Sequence, residues 1–242
     1  MYSKIPVPQV EWNKKNMKYA MCFFPLVGVI IGLAFIGVFK FCTIFSFGNI
    51  AKGAMLTVVP VLITGGIHVD GFIDTADAIS SYAPREKRLE ILKDPHVGAF
   101  GITWTVMYFI IYFGFCSEIN ESNIVIIALG FVLSRILSGY GAITIQRARK
   151  DGLLVTFADG AKENTVKLIL IALVFLVTGA MAKIKIELAC TSVFIALTVY
   201  FLYKRFAIKT FGGVTGDLAG FFLQLCEIAI LITAVFIDKL VV

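Results

Sequence analysis

The sequence predicts an all-α fold, a polytopic integral membrane bundle of about seven transmembrane helices, and three observations predict it. The 242 residues are 59% apolar and only 16% charged, where soluble domains run to roughly half apolar and a quarter charged, and mean hydropathy is +0.90. Seven stretches are apolar over a length that reaches, or nearly reaches, the about 20 helical residues that cross a hydrocarbon core. The basic residues are also unevenly shared between the intervening loops: sixteen of the 22 Lys and Arg fall on alternate loops and five on the others.

The spans are expected at 19–42, 50–69, 101–117, 122–145, 166–182, 186–203 and 217–237. Pro25, Pro60 and the glycines inside them are tolerated in membrane helices. The basic set comprises Lys4, Lys14, Lys15 and Lys18 before the first span, then Arg85, Lys87, Arg88 and Lys93 within 70–100. It continues with Arg147, Arg149, Lys150, Lys162 and Lys167, and with Lys204, Arg205 and Lys209. The opposite loops hold Lys40, Lys52, Lys183, Lys185 and Lys239 and the acidic turn "EINES", some of them within a few residues of a span end; Arg135 alone lies deep inside a span. By the positive-inside rule the N-terminus is cytoplasmic and the C-terminus outside, in the cytoplasmic (inner) membrane of the cell. No linker or repeat divides the chain, so residues 1–242 are expected to form one helical domain. Its cytoplasmic active-site loops are expected near 70–100, 146–165 and 204–217. The net charge of +6 is thereby explained by topology, with no nucleic acid as partner. Five isolated cysteines without CxxC spacing read as small buried hydrophobes.

Negative charge is concentrated in "GGIHVDGFIDTADAISS" at 65–81. Asp70, Asp74 and Asp77 share one helical face, within a sector of roughly 60°. Like charges at this spacing repel, and no lysine or arginine lies between Lys52 and Arg85. A bridging cation is therefore expected, and hard carboxylate oxygens suit Mg²⁺ or Mn²⁺. Gly71 would let a ligand approach the backbone. In "RLEILKDPHVGAFG", Glu90 and Asp94 are spaced i, i+4 and Pro95 ends that helix. The candidate metal ligands are Asp70, Asp74, Asp77, Glu90 and Asp94, of which Asp74, Asp77 and Asp94 are also the candidate catalytic carboxylates. His68 and His96 sit beside the two clusters as hydrogen-bonding neighbours rather than ligands, since Mg²⁺ prefers oxygen.

Phosphate binding is expected at "FGGVTGDLAGFFLQLCE", 211–227. Backbone N–H groups of Gly212 and Gly213, Thr215 and a helix start near Asp217 would receive an anion there. Asp217 is either a helix cap or a ligand. Glu227 lies about 15 Å deeper along the helix, where ionisable groups pair or line polar cavities. Arg135 is then a buried counter-charge or a phosphate clamp, and Arg147 in "QRARKDG" adds a cation at the same side. With His68, these residues form the substrate- and phosphate-binding set. No Walker loop, nucleophile elbow or HExxH is present. Acids for metal, arginines for phosphate and glycines between them make up a phosphoryl-transfer inventory.

The combination of "GGIHVDGFIDTADAI", "RLEILKDPHVGAFG", "LSR" at 133–135 and "FGGVTGD" followed by Glu227 resembles the adenosylcobinamide-GDP ribazoletransferase (cobalamin synthase) family. "IPVP" and "FPLVGVIIGL" near the N-terminus extend the likeness over about residues 5 to 235. Ala78 and Phe221 depart from its pattern, which has glycine and a small residue there. The resemblance implies Mg²⁺ as cofactor, adenosylcobinamide-GDP and α-ribazole or α-ribazole 5′-phosphate as substrates, and attack of the ribazole hydroxyl on the corrinoid-linked phosphorus with departure of GMP. The lipid bilayer is the expected surroundings, and a homo-oligomer is left open. The spaced aspartates are also similar to those of membrane CDP-alcohol phosphotransferases, without the Ala-Arg pair of that pattern. A cation transporter would gather its acids at the bilayer midplane rather than at one interface.

Overall fold

In hydrocarbon a backbone can satisfy its amides only within itself, and each apolar run folds into helix accordingly. The structure, a computed structural model, describes residues 16–149, 154 and 162–240. A 3₁₀ stretch, Asn16–Phe23, leads into α1 (Phe24–Ile44). Then come α2 (Asn49–Thr64), α3 (Ile67–Ser80) and the short α4 (Arg85–Ile91). The remaining helices are α5 (Ala99–Ser117), α6 (Ile124–Thr144), α7 (Glu163–Ala182), α8 (Ile186–Phe211) and α9 (Gly216–Leu240). Among the described residues there is no strand, only an isolated parallel bridge between Arg147 and Val214. Lys4, Lys14, Lys15, Lys150, the "IPVP" segment and much of the 146–165 loop lie outside the described residues.

Six helices among the described residues are long and apolar enough to cross a membrane, and the α2–α3 pair would make a seventh if its halves count as one span. The chain is thus a multi-pass membrane protein. The second expected span, 50–69, is corrected: helix stops at Thr64 and the axis turns by 94° into α3. Gly65 and Gly66 cause the turn, with φ of 69° and 82°, a left-handed conformation that residues with a Cβ rarely adopt. The sixth span is longer than expected, running on to Phe211.

Helix α6 is the axis of the bundle. Its lipid-free surroundings show in sixteen buried residues out of 21, and α1, α7, α8 and α9 pack around it. Close approach of α1 is set by Gly28 and Gly32, a small-xxx-small pair. A Cβ on Gly32 would come within 2.8 Å of the Ala128 carbonyl oxygen. Phe35 meets Phe131 edge-on at 5.2 Å in the same seam. Phe221, the departure from the family pattern, stacks on Phe72 at 5.4 Å and fastens α9 to α3. Away from the α2–α3 turn, large apolar side chains such as Phe23, Leu33, Phe175 and Phe201 are exposed, as a lipid-facing surface requires.

The far end of α9 is tied by Asp238. Its carboxylate accepts from Asn120 Nδ2 (2.8 Å), Asn123 Nδ2 (3.2 Å) and Lys185 Nζ (2.8 Å). This joins the loops α5–α6 and α7–α8 to α9 and anchors the end opposite to the aspartate helix.

Candidate active site

The aspartate face forms as expected, because 67–80 is one helix, but its three carboxylates have different surroundings. Asp77 is turned toward α5: its oxygens accept the backbone N–H of Gly98 at 2.7 Å and of Gly101 at 2.8 Å. A Cβ at either glycine would collide with that carboxylate. Asp77 therefore caps α5 from a neighbouring helix, adding negative charge where the helix dipole is positive. Asp70 is exposed and Asp74 half-buried, and neither makes a hydrogen bond or ion pair among the described residues. The charges of Asp70, Asp217 and Asp77 all act on Asp74, with Arg149 opposing them.

Asp217 reaches this group because α9 crosses α3 closely. The approach is made at Gly71, where a Cβ would lie 2.6 Å from the Asp217 carbonyl oxygen. The sequence reading gave Gly71 to a ligand; its open face is taken by the backbone of α9. Thr215 Oγ1 accepts the N–H of Leu218 at 3.2 Å, so Thr215 is the cap of α9 and Asp217 lies in its first turn. Asp217 also faces Arg149, 3.7 Å from its Nη1, and Arg149 is itself steadied by donating to the Leu89 carbonyl at 2.7 Å.

Between α3, α6 and α9 lies a cavity of about 280 Å³, whose lining includes His68, Asp70, Ser138, Arg149, Thr215 and Asp217. His68 is 4% exposed and its Nε2 has no hydrogen-bond partner among the described residues; a buried polar atom left so costs about 1–3 kcal/mol. Edge-on contact with Phe24 at 6.2 Å fixes the ring.

The expected glycine-rich phosphate cradle is corrected in part. The N–H groups of Gly212, Gly213 and Val214 are already bonded to the carbonyls of Ile208, Ala207 and Gln146, at 2.9–3.1 Å. Gly212 instead ends α8 in a left-handed cap at φ 76°, and its carbonyl accepts from Gln146 Nε2. The helix start presented to the cavity is that of α9, at Thr215, Gly216 and Asp217.

Arg135 takes the counter-charge alternative. It is wholly enclosed and pairs with Glu227, while Nη1 also donates to Ser134 Oγ (3.0 Å) and the Phe131 carbonyl (3.2 Å). It does not line the cavity that holds Asp70 and Asp217. Arg147 bridges Val214 through its backbone, and it is Arg149 that lines the cavity. The sequence reading named Arg147 and not Arg149, because nothing in "QRARK" separates the two. Ser138, one turn beyond Arg135 on α6, was missed too, although the i+3 spacing pointed to it.

Glu90 and Asp94 stand apart. Helix α4 ends at Ile91, so they do not share a helix as expected. Glu90 pairs with Lys87 at 2.9 Å on an exposed face. Asp94 accepts the His96 N–H at 2.9 Å and meets its ring Nδ1 at 2.7 Å. The backbone N–H, and then the ring, hold the Asp94 carboxyl below the usual carboxylate range.

Among the described residues no three His, Cys, Asp or Glu converge into a ready metal cage. The donor chemistry nonetheless suits Mg²⁺, which binds through one or two carboxylates together with substrate phosphates and water. Asp70 and Asp74 have carboxylate oxygens free for that use.

A family model described as cobalamin-5-phosphate synthase matches residues 1–235. A protein of Lachnoclostridium phytofermentans named adenosylcobinamide-GDP ribazoletransferase is 44% identical over 94% of this chain and 87% of its own length. Proteins of the same name from Clostridium botulinum strain Alaska E43 and Treponema denticola are 32% and 31% identical, over 97% and 98% of this chain and 93% and 95% of their own. No solved structure matches.

Proposed function

The chain belongs to the cobalamin-5-phosphate synthase family, and from that premise we propose how its cavity carries the adenosylcobinamide-GDP ribazoletransferase activity of cobalamin biosynthesis. In the reaction assigned, a hydroxyl of α-ribazole or its 5′-phosphate forms a new P–O bond to the corrinoid-linked phosphorus. The P–O bond to GMP breaks, and the hydroxyl proton is released. The observation that carries the assignment is a cavity lined by Asp70, Asp217, Arg149 and buried His68, with the Asp74 carboxylate close enough to feel the charges of Asp70, Asp217 and Arg149.

Asp70 and Asp74 would hold Mg²⁺, with Asp217 at the edge of the same group; bound there, it would supply positive charge to phosphate oxygens. Arg149 is suited to a non-bridging phosphate oxygen by its planar donor fork. The first turn of α9 offers N–H groups and the positive end of its dipole to the same diphosphate. Neutral His68 offers Nε2 to a hydroxyl or base of the substrate. Asp74 takes the proton of the attacking hydroxyl, and Asp77 positions α5 rather than touching the reacting atoms. Glu90 and Asp94 are left out of the metal set, since Glu90 pairs with Lys87 and Asp94 with His96 away from the cavity. The cavity faces the cytoplasm in this reading, where the 16-to-5 division of basic residues puts that end.

The test is release of GMP from adenosylcobinamide-GDP by the purified chain in detergent, with α-ribazole and its 5′-phosphate each offered. Turnover is expected to require Mg²⁺ and to fall by at least about a hundredfold in Asp70→Asn and Asp74→Asn, with helical content unchanged. Full turnover after exhaustive chelation, or in both variants, would sink the assignment.

A further inference from the structure

A second cavity lies outside the active site, between α6, α7 and α8. It has a volume of about 340 Å³ and a lining that is almost wholly apolar, with Ile136, Leu170, Val174 and Leu197 among its walls. Its floor is the axial helix, where Ile136 and Leu137 are buried. Phe175 and Phe201 at its sides are exposed, so the groove opens toward lipid rather than inward.

One end of the groove is polar. Tyr140, Thr144, Tyr200 and Lys204 line it there, with Thr144 Oγ1 and the Tyr200 hydroxyl 3.4 Å apart. Lys204 is exposed and makes no ion pair among the described residues. It stands seven residues before the end of α8, where tyrosines and lysines occupy the interface between headgroups and hydrocarbon. From Ile136 to Thr144 the floor runs about 12 Å, and a groove of about 340 Å³ is too small for a helix of a second copy, about 10–12 Å across, but has room for an acyl chain.

We propose that this groove is a binding site for one anionic phospholipid, with an acyl chain along α6 and the phosphate at Lys204. Apolar walls at membrane depth alone would accept any lipid chain. The exposed Lys204 at the headgroup end selects for negative charge, as basic pockets between membrane helices do.

Native mass spectrometry of the full chain, titrated separately with dioleoylphosphatidylglycerol and dioleoylphosphatidylcholine, tests the site. One phosphatidylglycerol is expected to be retained at about tenfold lower concentration than phosphatidylcholine. Lys204→Glu is expected to abolish that preference, and Val174→Trp, which fills the groove, to remove the retained lipid altogether while thermal stability is kept. Glycerophosphoglycerol, the headgroup without chains, is expected not to compete. Equal retention of the two lipids by the unsubstituted chain overturns the proposal. So does a preference that survives Lys204→Glu, or a dimer mass that excludes lipid. Lys204 is at the surface, so its variant decides the matter even where Val174→Trp disturbs packing.

Discussion

Arg135 and Glu227 form an ion pair enclosed in the bundle. A charge inside a span needs such a partner. Their pairing follows from α6 crossing α9, which brings positions 92 residues apart together. Removing one partner leaves the other charge buried and uncompensated, at a cost of about 3–5 kcal/mol. Glu227→Gln is therefore expected to lower thermal stability in detergent sharply, and the double change Arg135→Met with Glu227→Leu to restore most of it. If Glu227→Gln melts like the parent, the pair is not holding α6 to α9. At the cavity, Arg149→Ala is expected to lower turnover about tenfold or more, and Arg147→Ala to do so far less, because Arg149 lies 3.7 Å from Asp217 and lines the cavity. Equal losses in GMP release from the two variants would remove the assigned role of Arg149.

At the scale of elements, α5 begins where a carboxylate from α3 covers its first amides. Such a cap is worth about 1 kcal/mol, with a further contribution from the helix dipole. Asp77→Ala is expected to destabilise the chain by about 1–2 kcal/mol and to reduce turnover through loosening of α3, whereas Asp77→Asn, which still offers one acceptor, loses less of both. Hydrogen exchange of the 98–102 amides would report the release directly; unchanged protection in Asp77→Ala would contradict the cap. Gly101→Ala is the reciprocal test, since its methyl displaces the same carboxylate.

For the whole molecule, the asymmetry of basic residues predicts which end of the bundle meets the cytoplasm. Position 74 and position 209 are expected inside and position 121 outside. Single cysteines placed there, in a background freed of the native ones, are to be labelled with an impermeant reagent in intact cells. Labelling at 121 alone is the expected pattern; labelling at 74 and not at 121 would invert the bundle and move the cavity to the other face. The anchor at Asp238 then lies outside, as far from the cavity as α9 is long.

The sequence by itself determined the class of the fold, because hydropathy over about 20 residues depends only on local composition. Helix ends were less legible: the expected span 50–69 ran through the Gly65–Gly66 break, and the start of α9 was read near Asp217 where Thr215 is the cap. The membership of the aspartate face was legible from a period of 3.6 residues. What the three aspartates do was decided by tertiary structure: a helix period says which side chains share a face, not what faces them. Only packing turned Asp77 to the amides of α5, brought Asp217 across Gly71, and enclosed Arg135 with Glu227. Only packing put Arg149 rather than Arg147 on the cavity wall, because each of these depends on the angle at which separate helices cross.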